Sequence, residues 1–169
     1  MSLTSFIKSG KLKEAREASK VVIDGRTMGH SGFFSASSES GRNVNQLFVW
    51  FQPCLDGCDA DKTPFIQWFN GGPGSPDTTG ALNQIGNWYV DKDLNLLERC
   101  FSWCRHNNCL FVDNPTMTGF SYQANESGDP KIDNIEYTKT SMGAGKQVLE
   151  VLLQFFQIWP EYANAPYYV

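Results

Sequence analysis

Apolar and polar positions along the chain fall into a few distinct rhythms. Between residues 3 and 20, Leu3, Phe6, Ile7, Leu12 and Ala15 are interleaved with lysines in a helical pattern that Gly10 interrupts. Residues 1–20 therefore read as an amphipathic helical arm. Its basic face is either solvated or a contact for an acidic surface. "HSGFFSAS" (30–37) and "NQLFVWFQP" (45–53) read as strands flanking the polar turn "SSESGRN". "PFIQWF" (64–69) and "NCLFVDNP" (108–115) are two more apolar strands, the second ended by Asn114 and Pro115. Residues 71–87 read as loop-rich, punctuated by Gly80 and Gly86. The longest helical pattern covers 136–159, with Met142, Val148, Leu149, Leu152, Phe155, Phe156 and Trp159 at its apolar positions, and Pro160 ends it. "APYYV" then opens another strand. Strands first, then strand and helix in alternation, predict a mixed sheet of α/β type. A chain stopping one step into a strand is expected to be a truncated piece. Its exposed sheet edge should make isolated residues 1–169 aggregate.

The chain has 169 residues, 41% of them hydrophobic and 14% aromatic, which is a globular composition. A net charge of −4 disfavours a broad electrostatic grip on nucleic acid. No stretch reaches the roughly 18–20 apolar residues of a membrane span. "MSLTSFIKSGKLKEAREASK" lacks the apolar core of a signal peptide, so the chain is either cytosolic or a processed piece of a longer one. The cysteines are Cys54, Cys58, Cys100, Cys104 and Cys109. Their spacing leaves two readings: disulfides with one leftover thiol in an oxidising compartment, or a Cys-bound zinc module. The spacings do not match the common Cys-x2-Cys knuckles, which favours disulfides. No metal or other cofactor is expected.

The segment "FNGGPGSP" (69–76) stands out. A hairpin turn at Asn70–Gly71 requires an alternating strand directly afterwards. "GPGSPDTTG" cannot supply one. A phosphate loop requires a following Gly-Lys-Ser/Thr, which is absent. The third reading is a loop whose backbone N–H groups face an anion or oxyanion, glycine letting the ligand approach the main chain. In acyl-transfer enzymes one such donor contributes about 3–4 kcal/mol to the transition state. A nucleophile is missing, however. "GFSYQ" (119–123) has Gln123 where a Gly-x-Ser-x-Gly elbow needs its second glycine. His30 and His106 both read as structural or surface histidines.

Taken together, the blocks "HSGFF", "LFVWFQP", "FIQWFNGGPGS", "FSWCRHNNCLFVDNPTMTGFSY" and "LLQFFQIWPEYANAPYYV" resemble the serine carboxypeptidases, and the vitellogenic type most of all. The resemblance runs essentially end to end. It implies an α/β-hydrolase fold, of which this chain is the N-terminal part of the mixed central sheet, cut before the nucleophile elbow. The implied activity is hydrolysis of the C-terminal peptide bond of peptides or proteins by a serine nucleophile. In the family the serine sits in Gly-Glu-Ser-Tyr-Ala-Gly, and that serine, the Asp and the His all fall beyond Val169. The chain alone is therefore expected to be inactive.

Residue by residue, the resemblance makes the Gly72 N–H half of the oxyanion hole. Asn70 and the Gly71 N–H become the clamp on the substrate's C-terminal carboxylate, with Trp68 supporting it. Thr79 lines the pocket for the last side chain. Gln84 stands where the family usually has a Glu that shares a proton with a second Glu beside the nucleophile. An amide cannot titrate, so a flatter pH dependence or weakened activity is expected. Ser75 occupies a frequent disulfide position, Met117 replaces a usual Gly, and "SPDTTG" departs from the usual Ser-Ser segment. Such changes keep open a second reading, a non-catalytic homologue that binds peptide C-termini or a protein partner. Asn125 in "NES" is an N-glycosylation acceptor, in keeping with a secreted, lysosomal or vacuolar parent.

Overall fold

The computed structural model describes residues 1–72 and 74–169, so Pro73 of the glycine-rich loop lies outside the described residues. Helices α1 (Leu3–Lys8) and α2 (Leu12–Ser19) come first, separated at Gly10. Strands β1 (Lys20–Ile23), β2 (Arg26–Ser37), β3 (Val44–Gln52) and β4 (Phe65–Trp68) follow. Then come α3 (Asp77–Asn83), the hairpin of β5 (Trp88–Val90) and β6 (Leu96–Glu98), and β7 (Asn108–Val112). The chain continues through β8 (Tyr122–Ala124) and α4 (Ser141–Ile158) to β9 (Tyr167–Tyr168).

The main sheet has the order β1-β2-β3-β7-β4-β9, with β8 paired to the outer part of β3. β1, β2, β3 and β7 pair antiparallel in turn, whereas β4 runs parallel to both β7 and β9. The sheet is thus mixed. Its parallel part is reached by crossovers, one carrying α3 and the other α4.

Strand alternation builds a core on each face. Phe34, Leu47, Val49, Phe51, Phe65, Leu110 and Val112 point to one side, where Val151, Phe155, Ile158 and Trp159 meet them. Phe155 lies 4.9 Å from Phe51 edge to face and 4.7 Å from Trp159 stacked. Leu3 and Ala15 bury α1 and α2 against the same cluster. The intervening positions Trp50, Ile66, Trp68, Cys109 and Phe111 pack on the other side with Ala81 of α3 and Ile85 just after it. Cys104–Cys109 is a disulfide within that second cluster, Cys54–Cys58 closes the loop after β3, and Cys100 is a free, exposed thiol.

Two expectations need correction. The 71–87 segment is not all loop: Pro76, in extended conformation, ends the glycine-rich stretch, and α3 follows, burying Asp77, Gly80 and Ala81. The long helix begins at Ser141 rather than 136, because Thr140 caps it by accepting the Gly143 N–H at 3.0 Å. Residues before Thr140 serve another purpose: the Glu136 carboxylate accepts from Ser38, Ser40 and Asn43 and pins the β2–β3 turn. β1 and the β5–β6 hairpin are further elements that the hydrophobic pattern did not predict.

Candidate functional site

The parallel strands β4, β7 and β9 point their carboxyl ends the same way. β7 has been inserted between β3 and β4, so consecutive strands part at this place. In open α/β sheets, ligands bind at the carboxyl ends of strands where the order switches. A cleft of about 550 Å³ opens there, lined by Phe69 and Asn70 after β4, Gly74, Asn114 and Pro115 after β7, and by the cap residue Thr140 with Ala144 and Gly145 of α4.

Asn70 is held at three points. The Trp68 Nε1–H donates to its Oδ1 at 2.7 Å. Its Nδ2 donates to the Pro76 carbonyl at 2.7 Å, and its backbone N–H donates to Asp77 Oδ1 at 2.7 Å. An amide nitrogen carries two N–H groups, so one remains for a ligand. Gly80 makes this arrangement possible. A Cβ there would lie 2.5 Å from Trp68 Nε1 and 3.2 Å from Asn70 Oδ1, so α3 can approach only as glycine. Gly72 has φ +134°, a conformation that favours glycine, and both Gly71 and Gly72 are exposed. Thr79 is half-buried in α3, and Gln84 is exposed at its end. Among the described residues neither side chain is bonded to Trp68 or Asn70. The structure therefore joins Trp68 with Asn70 and leaves Thr79 and Gln84 on the neighbouring helix.

Two buried carboxylates organise the loop. Asp77 is 1% exposed and accepts the Asn70 N–H at 2.7 Å and the Val112 N–H at 3.3 Å. Desolvation pushes its carboxyl up to about 7, with Asp113 adding to the rise and the two N–H bonds opposing it. Asp113, fully buried, accepts from the Thr78 N–H (3.0 Å), the Thr78 hydroxyl (3.2 Å) and the Phe120 N–H (3.0 Å). Together they tie the glycine-rich loop, the start of α3 and the 115–121 turn to the end of β7. Neither was singled out from the sequence. The signal was an acidic residue in the first turn after "SP" and another just before an Asn-Pro strand end.

Met117 has φ +73°, the left-handed region where a side chain is strained. A glycine would take that conformation without strain. His30 is half-buried against Phe51 and Trp159, its Nδ1 3.0 Å from Ser19 Oγ, and burial holds its imidazole below the ordinary value. His106 is exposed. Neither is among the residues lining the cleft. Asn125 is exposed after β8, its Oδ1 accepting the Ser127 and Asp129 N–H groups.

The family model for serine carboxypeptidase matches residues 23–169. The chain belongs to the serine carboxypeptidase family. Among its relatives, the venom serine carboxypeptidase of Apis mellifera is 33% identical over 171 residues, covering 99% of this chain and 33% of the relative. The vitellogenic carboxypeptidase of Aedes aegypti is 25% identical over 169 residues, again 99% of this chain and 33% of the relative. Among solved structures, the prohormone-processing carboxypeptidase Kex1(delta)p of Saccharomyces cerevisiae aligns with a TM-score of 0.67 at 30% identity, over 82% of this chain and 29% of that one. The chain thus spans about a third of the length of the relatives it matches. Its mixed sheet is that of the α/β-hydrolase fold on which serine carboxypeptidases are built.

Proposed function

We propose that this chain supplies the carboxylate clamp and half of the oxyanion hole of a serine carboxypeptidase that removes C-terminal residues from peptides or proteins. The observation that carries the reading is the Asn70 amide, locked by Trp68 and Pro76 at the lip of the cleft with one N–H to spare. An exopeptidase must recognise a free carboxylate. Neutral amide donors do so without burying a cation, whose desolvation would offset part of the attraction. The peptide C-terminus accepts from Asn70 Nδ2 and the Gly71 N–H. The scissile carbonyl, one residue back, then presents its oxygen to the Gly72 N–H as negative charge develops. Thr79 borders the pocket for the last side chain, and Gln84 donates to the carboxylate. On this reading the attacking serine and its Asp and His lie outside residues 1–169, and these residues by themselves do not turn over peptide. The exposed Asn125 carries a glycan, and the parent protein is secreted or resides in a lysosome or vacuole.

Labelling of the protein at its natural length with a serine-reactive phosphonate tests the catalytic half of this reading. Binding of peptides with free and amidated C-termini tests the clamp. Labelling together with a free-over-amide preference that Asn70→Ala abolishes is the expected result. Equal binding of free and amidated peptides would remove the clamp from the reading. Gln84 and Met117 favour a second reading, in which the clamp is kept for binding alone. That reading predicts the same preference without labelling or turnover.

A further inference from the structure

Asp77 is one hydrogen bond away from the clamp and has no part in the function just described. Its Oδ1 holds the Asn70 backbone N–H at 2.7 Å, and its Oδ2 holds the Val112 N–H at 3.3 Å, so a single carboxyl group fixes the start of the glycine-rich loop to the end of β7. We propose that Asp77 is a positioning residue that makes capture of a substrate's C-terminal carboxylate pH-dependent, strong when Asp77 is protonated and weakened when it is ionised. This rests on the clamp reading of Asn70 and Gly71.

The effect is electrostatic. Asp77 is buried, so little water lies between it and the Asn70 amide, and a charge there is poorly screened. An ionised Asp77 beside the clamp repels an arriving carboxylate, whereas a neutral Asp77 does not. By linkage, a bound carboxylate makes Asp77 harder to ionise, so substrate binding near neutral pH takes up a proton. Other groups around it do not supply this response. Asp113 on the β7 side, whose field reaches Asp77, accepts from Thr78 and Phe120 and, among the described residues, is not hydrogen-bonded to Asn70. Lys139, across the cleft, is exposed. The loop from Phe69 to Pro76 contributes no titratable side chain, and on α3 Gln84 is an amide. Where Gln84 alone predicts a flat pH profile, Asp77 restores a slope.

The test uses the protein at its natural length and a non-hydrolysable ketomethylene dipeptide, with a free or an amidated C-terminus. Affinity is measured between about pH 6 and about pH 8, a range over which the peptide carboxylate stays ionised. In the native protein the free-over-amide preference is expected to fall about tenfold across this range. Calorimetry near neutral pH in buffers of different ionisation enthalpy is expected to show proton uptake with the free peptide and none with the amide. Asp77→Asn, which still accepts the Asn70 N–H, is expected to keep the preference, and both it and Asp77→Ser are expected to lose its pH dependence. A preference that is independent of pH in the native protein overturns the proposal, with or without a folded variant. So does a slope that survives in both variants. No preference at any pH overturns the clamp reading itself, an outcome distinct from either.

Discussion

Burial of Asp77 has a thermodynamic signature separate from ligand binding. Its carboxyl is raised from the 3.8 of an exposed aspartate to about 7 in the fold. A raised pKa means the folded protein favours the protonated form. The associated stability is fully present below about pH 4 and is lost as pH rises towards 7. A shift of about three units at 1.36 kcal/mol each gives a loss of about 4 kcal/mol. Asp77→Asn removes the titration while keeping one acceptor for Asn70. Its amide nitrogen then faces a backbone N–H, at a cost of about 1–3 kcal/mol that does not depend on pH. The free-energy difference between native protein and variant should therefore move by about 4 kcal/mol across pH 4–7, always to the disadvantage of the native protein. Urea unfolding at closely spaced pH values reads this as a relative midpoint shift of about 2 M, for a slope near 2 kcal/mol per molar. A difference that stays flat across the window refutes the reasoning. A difference of the opposite sign does so too, and would mean that the two backbone donors outweigh desolvation.

Gly80→Ala places a Cβ 2.5 Å from Trp68 Nε1; it should cost about 1–3 kcal/mol in thermal unfolding and reduce the free-over-amide preference, because the indole can no longer hold Asn70. Met117→Gly should raise stability by about 0.5–1 kcal/mol, the relief of a left-handed side chain less the entropy of an added glycine, and a fall in melting temperature would speak against it. Phe155→Ala empties the centre of the aromatic cluster shared with Phe51 and Trp159 and should cost about 3–5 kcal/mol by chemical unfolding.

The principal strands were legible because β2, β3, β4 and β7 carry their apolar residues in short runs bounded by polar or turn residues, which survives any tertiary context. The last strand and the long helix were legible for the same reason at their own periods. α3 was not, since "DTTGALN" has two β-branched residues and a glycine in one short stretch. It is a helix because Ala81, and Ile85 just past its end, have the sheet to pack against and because Asp113 satisfies the Thr78 N–H in its first turn. Of the candidate site, Asn70, Gly71, Gly72 and Trp68 stood in a motif. Asp77 and Asp113 could not: their importance comes from β4 and β7 being neighbours in space, which is a property of strand order and not of spacing along the chain.

That strand order also sets when the site can exist. β4 closes its ladder against Asn108–Phe111, roughly 40 residues downstream, and against Tyr167 and Tyr168, roughly 100 residues downstream. At the 5–20 residues per second of synthesis, Phe65 to Trp68 leave the ribosome at least about two seconds before their first parallel partner and several seconds before their second. Through that interval "FIQWF" is an unpaired apolar segment next to a glycine-rich tether, the kind of species that chaperones bind. The same insertion of β7 that creates the cleft therefore leaves the loop after β4 unsecured until well after it has been synthesised.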